Sequence, residues 1–594
     1  MRICHGHDLR SGAIDKLRYC SLAFILFYVF AYAVAYSSTR FVEVRVEGVP
    51  EPLLSTLHSA LGIMQESKKG DINEKHLRTL HRRAEGQIKT ALQAFGYYKS
   101  EVKGNLQREK DRWIARYAVS VGPPLVYQDI QTEVTGAGGQ EPGIQKLILN
   151  FPIKTGHVVD HGVYESTKRT WLRTAIDLGY LDARLSRREI RVDLERYRAD
   201  LALILDTGPL FHFGSFNLIQ DEFDENFLRR YIQIEPGQRY SAAKLIALET
   251  AFRDSGYFLE ATVQPRIKDA VDHRVPVDII LEPLKPSSYV FGLGYGTDTG
   301  ARGKAGWERR RVNRRGHRFG ADLTLSETSK ALSARYMIPI RNPQEDRFSV
   351  FAKYLNDNPD SSDSELGKIG VSRSTVHGNT HWEYGLSFQR ETFTVAEQTD
   401  TVDFLTPVIS LSRVTSDDRL FPKRGLRTDI GMILAYDGIL SDVSFAQIHL
   451  RAKLIRSLGK RGRLLLRGEA GITSASDVTV LPASIRFFTG GDQTVRGFGY
   501  QELGPMDASG EVIGGRYLLI GSVEYEYRIK PDWSVALFLD SGNAFDDFDE
   551  PLEQGAGLGV RWHSPVGPVR LDLANALTKS GHPWRVHFSI GPDL

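Results

Sequence analysis

The chain has 594 residues, 41% hydrophobic and 25% charged, with a formal net charge of +3 and a mean hydropathy of −0.28. That length suits several domains, and that polarity excludes a bundle of membrane-spanning helices. The charge is too balanced to point to nucleic acid, and the composition is neither strongly acidic nor low-complexity, which argues against wholesale disorder.

Residues 1–35 differ from the rest. Arg2, Arg10, Lys16 and Arg18 make a basic start, Ser21–Ala35 is almost purely apolar, and the run ends in Ala33-Val34-Ala35. This is the pattern of a secretory signal peptide, and the apolar run is short for a membrane span. An uncleaved N-terminal anchor is the alternative. Both cysteines, Cys4 and Cys20, lie in this segment. Cleavage therefore leaves a chain without disulfides, to be held by burial or closed strand pairing. Cys20 precedes the apolar run, which disfavours a lipoprotein. The metal-ligand-like stretch His5–Asp8 belongs to the same disposable segment, so no metal site is expected.

From Phe41 to Pro286 one pattern repeats three times: a helical stretch ends in a glycine–aromatic pair and two strands follow. Lys75–Phe95 ends at Gly96-Tyr97, Tyr164–Leu178 at Gly179-Tyr180, and Ala242–Ser255 at Gly256-Tyr257. Each glycine suits the left-handed residue that closes a helix. Gly122-Pro123-Pro124 and Gly208-Pro209 punctuate the joins. The spacing predicts three strand–helix–helix–strand–strand units at 36–123, 124–209 and 210–286. They resemble the polypeptide-transport-associated (POTRA) domain; any other repeated α+β domain is the bland reading.

After Ser288 the period becomes two. In Tyr517–Lys530, Val523, Tyr525, Tyr527 and Ile529 oppose Glu524, Glu526, Arg528 and Lys530. Sixteen such runs, an even number, predict an antiparallel transmembrane β-barrel over 287–594. A soluble β-sandwich shares the alternation but explains neither the leader nor the charged inner face. Short connections such as Asn313–Gly316, Asn342-Pro343 and Pro565–Gly567 alternate with longer polar stretches expected as loops: Asn356–Glu365, Glu391–Asp403, Tyr436–Val443 and Asp546–Gln554. The predicted class is thus α+β and all-β: three POTRA-like domains, then a 16-stranded barrel.

The longest connection, Ile472–Arg516, contains Val495-Arg496-Gly497-Phe498 after a glycine pair, Gly490-Gly491. An arginine on a glycine-rich turn inside a lumen needs a partner, and Phe538-Leu539-Asp540-Ser541-Gly542 offers Asp540, which shares a strand face with Ser534, Ala536 and Phe538. These two motifs resemble the BamA-type barrel-assembly superfamily. The resemblance implies an inward loop whose Arg496 pairs with Asp540, Phe498 and Phe538 packing beside the pair, and Gly542 completing the strand motif. Bracing of the wall and gating are both compatible with such a pair.

The first barrel strand carries Gly292, Gly294 and Gly296 on one face beside Val290, and must close against Val586, Phe588 and Ile590 of the last. Same-face glycines let a strand bend, so this seam is a candidate lateral gate. Alternatively the glycines make room for the inward loop. Pro592 should stop the pairing. Three arm units, Gly294–Gly300, the stretch Leu481–Gly510 and the ending His587–Gly591 narrow the resemblance to the TamA family, outer-membrane subunits of translocation and assembly modules. It implies a TamB-like periplasm-spanning partner, autotransporter and other β-barrel clients, contact with outer-membrane lipid, and an outer-membrane location with the arm in the periplasm. The alternatives are the outer-membrane end of a TamB-dependent phospholipid bridge, or a two-partner secretion pore, which usually has two arm units and a plug helix. No nucleophile–base set, metal cluster or phosphate loop stands in the sequence, so neither an enzyme nor a cofactor is expected.

Overall fold

A computed structural model of the chain describes residues 42–51, 53–69, 72–110, 112–418, 421–564 and 567–590. The leader read at 1–35 and the expected stop at Pro592 lie outside them.

The first arm domain runs β1 (Val42–Glu47), α1 (Leu53–Ala60), α2 (Gly62–Ser67), α3 (Glu74–Ala94), β2 (Glu101–Glu109) and β3 (Arg112–Ser120). The last strand takes the centre of the sheet, with β1 parallel and β2 antiparallel to it. Helix α3 buries Leu77, Ala84, Ile88 and Leu92, one stripe at helical spacing, against Trp113, Ala115 and Tyr117 of β3. The Asn73 side chain caps its start by accepting the Lys75 N–H. Gly96, at φ 86°, ends it. The second domain repeats the order with β4 (Val126–Thr135), α4 (Pro142–Leu149), α5 (His161–Asp177), β5 (Arg184–Asp193) and β6 (Arg198–Asp206), and Trp171 fills its core. The third has β7 (His212–Ile219), α6 (Glu225–Arg229), α7 (Ala242–Asp254), β8 (Phe258–Pro265) and β9 (Arg274–Pro283). In all three sheets the strand last in sequence lies between the other two.

Sixteen consecutively paired strands follow, from β10 (Ser287–Gly296) to β25 (Trp584–Ile590). The alternation reads through to the structure. In Tyr517–Lys530, Val523, Tyr525 and Tyr527 face outward while Ser522, Glu524 and Glu526 are buried inside. Exposed Trp533 and Trp562 stack at 6.1 Å beside the short turn after Lys530, as interface aromatics do.

Two stretches expected as loops are strand. Glu391–Asp403 continues the hairpin of β16 (Thr380–Val395) and β17 (Gln398–Ser416), which turns through Ala396 at φ 52°. Asn356–Glu365 leaves only residues 358–361 between β14 (Asp346–Asp357) and β15 (Ser362–His377). The polar residues that suggested a loop form one face, with Thr392–Thr401 and Thr394–Thr399 bonded across the hairpin. The other face buries Phe393, Val395, Val402 and Phe404 against Leu481 and Ile485 of the long connection.

The boundary at 286 separates two strand systems but is not a break in packing. Most of the third domain forms one compact unit with the barrel, and the first two domains form another. The Arg318 guanidinium stands 4.0 Å over the Tyr257 ring and donates to the Ser255 carbonyl. Tyr257 Oη donates to the Gly316 carbonyl, and Arg230 to those of Pro339 and Ile340. Gly316, at φ 74°, leaves room for the Phe227 ring, which a Cβ would overlap. The turn expected at Asn313–Gly316 and the stretch Pro339-Ile340 thus receive the third domain.

Candidate functional site

The connection between β20 (Gly462–Ala475) and β21 (Tyr517–Lys530) folds against the inner wall. Isolated bridges Phe487–Gly515, Thr489–Leu503 and Met506–Val512 give it internal order. It delivers Arg496 to the wall at 4% exposure, opposite a fully buried Asp540. Arg496 Nε donates to Asp540 Oδ2 at 2.7 Å, Nη2 to Oδ1 at 2.9 Å, and the main-chain N–H adds 3.1 Å to Oδ2. This is the two-pronged guanidinium–carboxylate geometry. The Phe538 ring lies 3.5 Å from the guanidinium carbon, a cation–π contact inside a dry wall.

The pair belongs to a larger network. Arg496 Nη1 also donates to Glu524 at 2.7 Å and to Asp572 at 3.2 Å. Arg561, 0% exposed, binds the same two carboxylates at 2.8 and 2.6 Å. Arg467 stands 3.7 Å from Asp540 and donates to the Thr494 carbonyl, and Ser522 Oγ donates to Asp540. Three guanidinium groups thus face three carboxylates, so the buried charge is balanced, as desolvated ions require. The sequence showed Glu524 only as one charge on a polar face, and Arg561, Asp572 and Arg467 were not singled out. Strand register brings them together: Arg467 pairs with Ser522, Ser522 with Asp540, and Gly559, beneath the Arg561 guanidinium, with Asp572.

Glycines make the space. A Cβ at Gly555 would overlap the Arg496 carbonyl, one at Gly557 the Phe538 ring, and one at Gly559 the Arg561–Asp572 pair. This stripe on β23 (Glu553–Ser564) went unread beside the glycines of the first strand. Gly497, at φ 101°, approaches the backbone of Asn575 and Ala576. Phe498 joins Val495 in an apolar cluster with Leu503 and Ala576, a neighbourhood the motif did not give. Gly542 serves close approach to Ile520 on the neighbouring strand.

At the seam, β10 and β25 share no ladder among the described residues. Their contacts there include the Thr297 N–H to the Phe588 carbonyl at 3.3 Å, the Phe588 N–H to Thr297 Oγ1 at 3.3 Å, and Arg302 Nη2 to the Ile590 carbonyl at 3.0 Å. Tyr295 and Phe588 rings meet at 6.2 Å. Ile590 therefore arrives near Gly294, not near Val290, and Ser287–Leu293 run on past the described end of the last strand. Phe291 and Leu293 are 79% and 97% exposed on the outer face, as is Val586 of β25 at 53%. Val290 faces inward, onto a cavity of about 940 Å³ shared with Lys304, Asp322 and Lys353.

None of Gly292, Gly294 and Gly296 has a positive φ, and the loop does not occupy their space. The side chain over Gly294 is Arg302, paired with it in register from β11 (Gly300–Arg309). The loop instead touches both sides of the seam further on. The Asp492 N–H donates to Asp298 in the first hairpin turn at 2.6 Å, and the Gly497 N–H donates to His587 Nε2 of the last strand at 2.9 Å. Burial, then the facing Asp492, pushes the Asp298 carboxyl up to about 7.

Comparison with known proteins agrees with this architecture. Residues 43–121 match the first POTRA domain of TamA, and residues 211–283 the surface antigen variable number repeat, a POTRA unit. The outer membrane protein assembly factor BamA of Nitratidesulfovibrio vulgaris is 33% identical over 123 residues, 19% of this chain and 16% of that protein. BamA of Neorickettsia risticii is 23% identical over 390 residues, 60% of this chain and 51% of that protein. The chain thus spans about half or less of the length of these relatives. The crystal structure of BamA from Haemophilus ducreyi lacking POTRA domains 1–3 superposes with a TM-score of 0.67 at 15% identity, covering 79% of this chain and 100% of that one. Residues 312–593 match the Omp85 superfamily domain, so the barrel half of this chain is similar to that superfamily and stands behind three POTRA-like domains.

Proposed function

We propose that the chain is the outer-membrane subunit of a translocation and assembly module, its arm in the periplasm, and that it receives strands of β-barrel and autotransporter clients at its seam. The seam carries this reading: among the described residues the first and last barrel strands share no ladder, and a strand edge at such a seam is a feature that can add an extended chain by backbone pairing. The match of the first arm domain to that of TamA supports the module, and with it a TamB-like partner. No covalent step is involved. The work comes from exchanging one set of strand hydrogen bonds for another.

The test uses full-length chain with Cys4→Ser and Cys20→Ser, in which Val290→Cys is the only thiol. During assembly it should form disulfides with β-barrel precursors carrying one cysteine in their last strand. A second chain with Thr297→Cys and Phe588→Cys, oxidised to lock the seam, should stall client assembly. No adduct with any of several clients, together with assembly indifferent to the lock, would overturn the proposal and leave lipid transfer as the better role.

A further inference from the structure

Two lysines on the inner wall depart from the pairing that the charges beside them keep. Strand register sets Asp322, Ser333, Lys353, Lys368 and Gln389 in one row, from β12 (Arg318–Leu325) and β13 (Ser329–Pro339) through β14 and β15 to β16. Asp322 is taken by Lys304 at 3.2 Å, and nearby Arg335 stands 3.8 Å from Glu383. Lys353 and Lys368 lie directly opposite each other across the β14–β15 ladder, and among the described residues neither ammonium has a carboxylate in ion-pair reach. Glu391, next along the same face of β16, is committed elsewhere. It accepts from Ser364 Oγ at 2.8 Å, from Gln389 Nε2 at 3.1 Å and from the Ser484 N–H at 3.1 Å. Like charges directly opposite across a ladder weaken it. The wall therefore holds two cations side by side without supplying the anion that would neutralise them.

Both lysines line the cavity of about 940 Å³, together with Ser484 and Ile485 of the long connection. That volume lies in the range of small-molecule sites, about 300–1,000 Å³. Its walls are not those of a water channel. Met337, Phe351, Val408 and Ile433 line it, where the inner face of a transmembrane barrel is ordinarily polar. Phe351 is two residues from Lys353 on the same face of β14, so an apolar surface begins beside the charges.

We propose that Lys353 and Lys368 bind the phosphate of an amphiphile held inside the barrel, its hydrocarbon lying along Phe351, Met337 and Val408. Two neighbouring ammonium groups suit a head with several acceptor oxygens, since each is a compact charge with three rotatable donors. The bound anion relieves the repulsion between them. The site uses neither the closure of the seam nor a client strand, so it stands independently of the proposed function.

The test uses full-length chain in a non-ionic detergent, with acetylation of each lysine read by peptide mass spectrometry. Dioctanoyl phosphatidic acid should slow acetylation of Lys353 and Lys368 at least fivefold and leave exposed Lys423 and Lys460 unchanged. Inorganic phosphate at the same concentration should protect far less, and dioctanoylglycerol, which has the tails without the charge, not at all. Equal protection by inorganic phosphate would overturn the amphiphile and leave a plain anion site. Equal protection by dioctanoylglycerol, or protection by none of the three, would overturn the proposal outright. A second measurement reads the repulsion itself. Lys353→Gln should raise the unfolding temperature of the ligand-free barrel. Phosphatidic acid should raise that of the native chain but not that of the double variant Lys353→Gln, Lys368→Gln. A lower unfolding temperature in Lys353→Gln would mean that the lysines brace the wall, and would overturn the site.

Discussion

Replacing Arg496 with alanine should weaken the barrel by about 3 kcal/mol. Removing one partner of a buried ion pair costs roughly 3–5 kcal/mol, mostly because the remaining charge is left uncompensated. Here the cost should sit at the low end. Arg561 still holds Glu524 and Asp572 at 2.8 and 2.6 Å, and Arg467 stands 3.7 Å from Asp540. Three carboxylates would then share two guanidinium groups. At about 1.4 kcal/mol per decade, the folded population falls roughly 100-fold relative to the unfolded. Urea unfolding in lipid vesicles, read by gel mobility so that only the barrel reports, measures it. Combining Arg496→Ala with Asp540→Asn should recover about 1–3 kcal/mol of coupling, the range for residues in direct contact. A midpoint unchanged by Arg496→Ala, or strict additivity of the two changes, would refute the claim that this network fixes the loop to the wall.

Gly555→Val should displace the loop because its side chain would overlap the Arg496 carbonyl, whereas Gly431→Ala meets nothing within 4 Å and should be silent; protease cleavage within residues 490–500 separates them. Asp298 has its carboxyl raised to about 7 by burial and by Asp492. The fold therefore favours the protonated form, and its contribution is complete below about pH 4, the unfolded value, and lost as pH rises through about 7. The barrel melting temperature, followed from pH 4 to 8, should fall more in the native chain than in Asp298→Asn; parallel curves would dismiss the contact. Arg318→Ala removes the cation over Tyr257 and the bond to Ser255, at a cost of about 1–2 kcal/mol, and should hasten proteolysis between Leu284 and Ser287.

The arm was legible because each helix end is marked by a glycine that the backbone requires. Gly96, Gly179 and Gly256 all have positive φ, and the aromatics beside the last two, Tyr180 and Tyr257, are buried. The barrel was legible from period two. What misled was the assumption that polar means loop: Thr392, Thr394, Thr399 and Thr401 are one polar face of a hairpin whose other face is apolar. Arg496 and Asp540 could be paired from their motifs, yet Glu524, Arg561 and Asp572 could not. A charge on an inward face is ordinary until register shows which strands face it. His587 was read only as the start of the stretch His587–Gly591, although it accepts a hydrogen bond from the loop. The apolar cluster of Phe498 with Val495, Leu503 and Ala576 was not legible, because a motif gives neighbours in sequence and not in space.

A first-strand edge with no ladder to the last strand among the described residues would take its driving force from the surrounding lipid. Along Ser287–Leu293 every second residue turns both its N–H and its carbonyl away from the second strand. Within a bilayer such groups find no water, and each left unsatisfied costs several kcal/mol. Tyr289, Phe291 and Leu293, exposed on the outer face, hold that edge at the hydrocarbon. The surrounding lipid itself then makes the edge adhesive. On the proposed function, a strand that binds weakly in water is retained there by solvent exclusion and released when it satisfies its own backbone by closing into a barrel. On that reading, membrane thickness and fluidity, which set how readily water reaches the edge, are the variables that tune the rate.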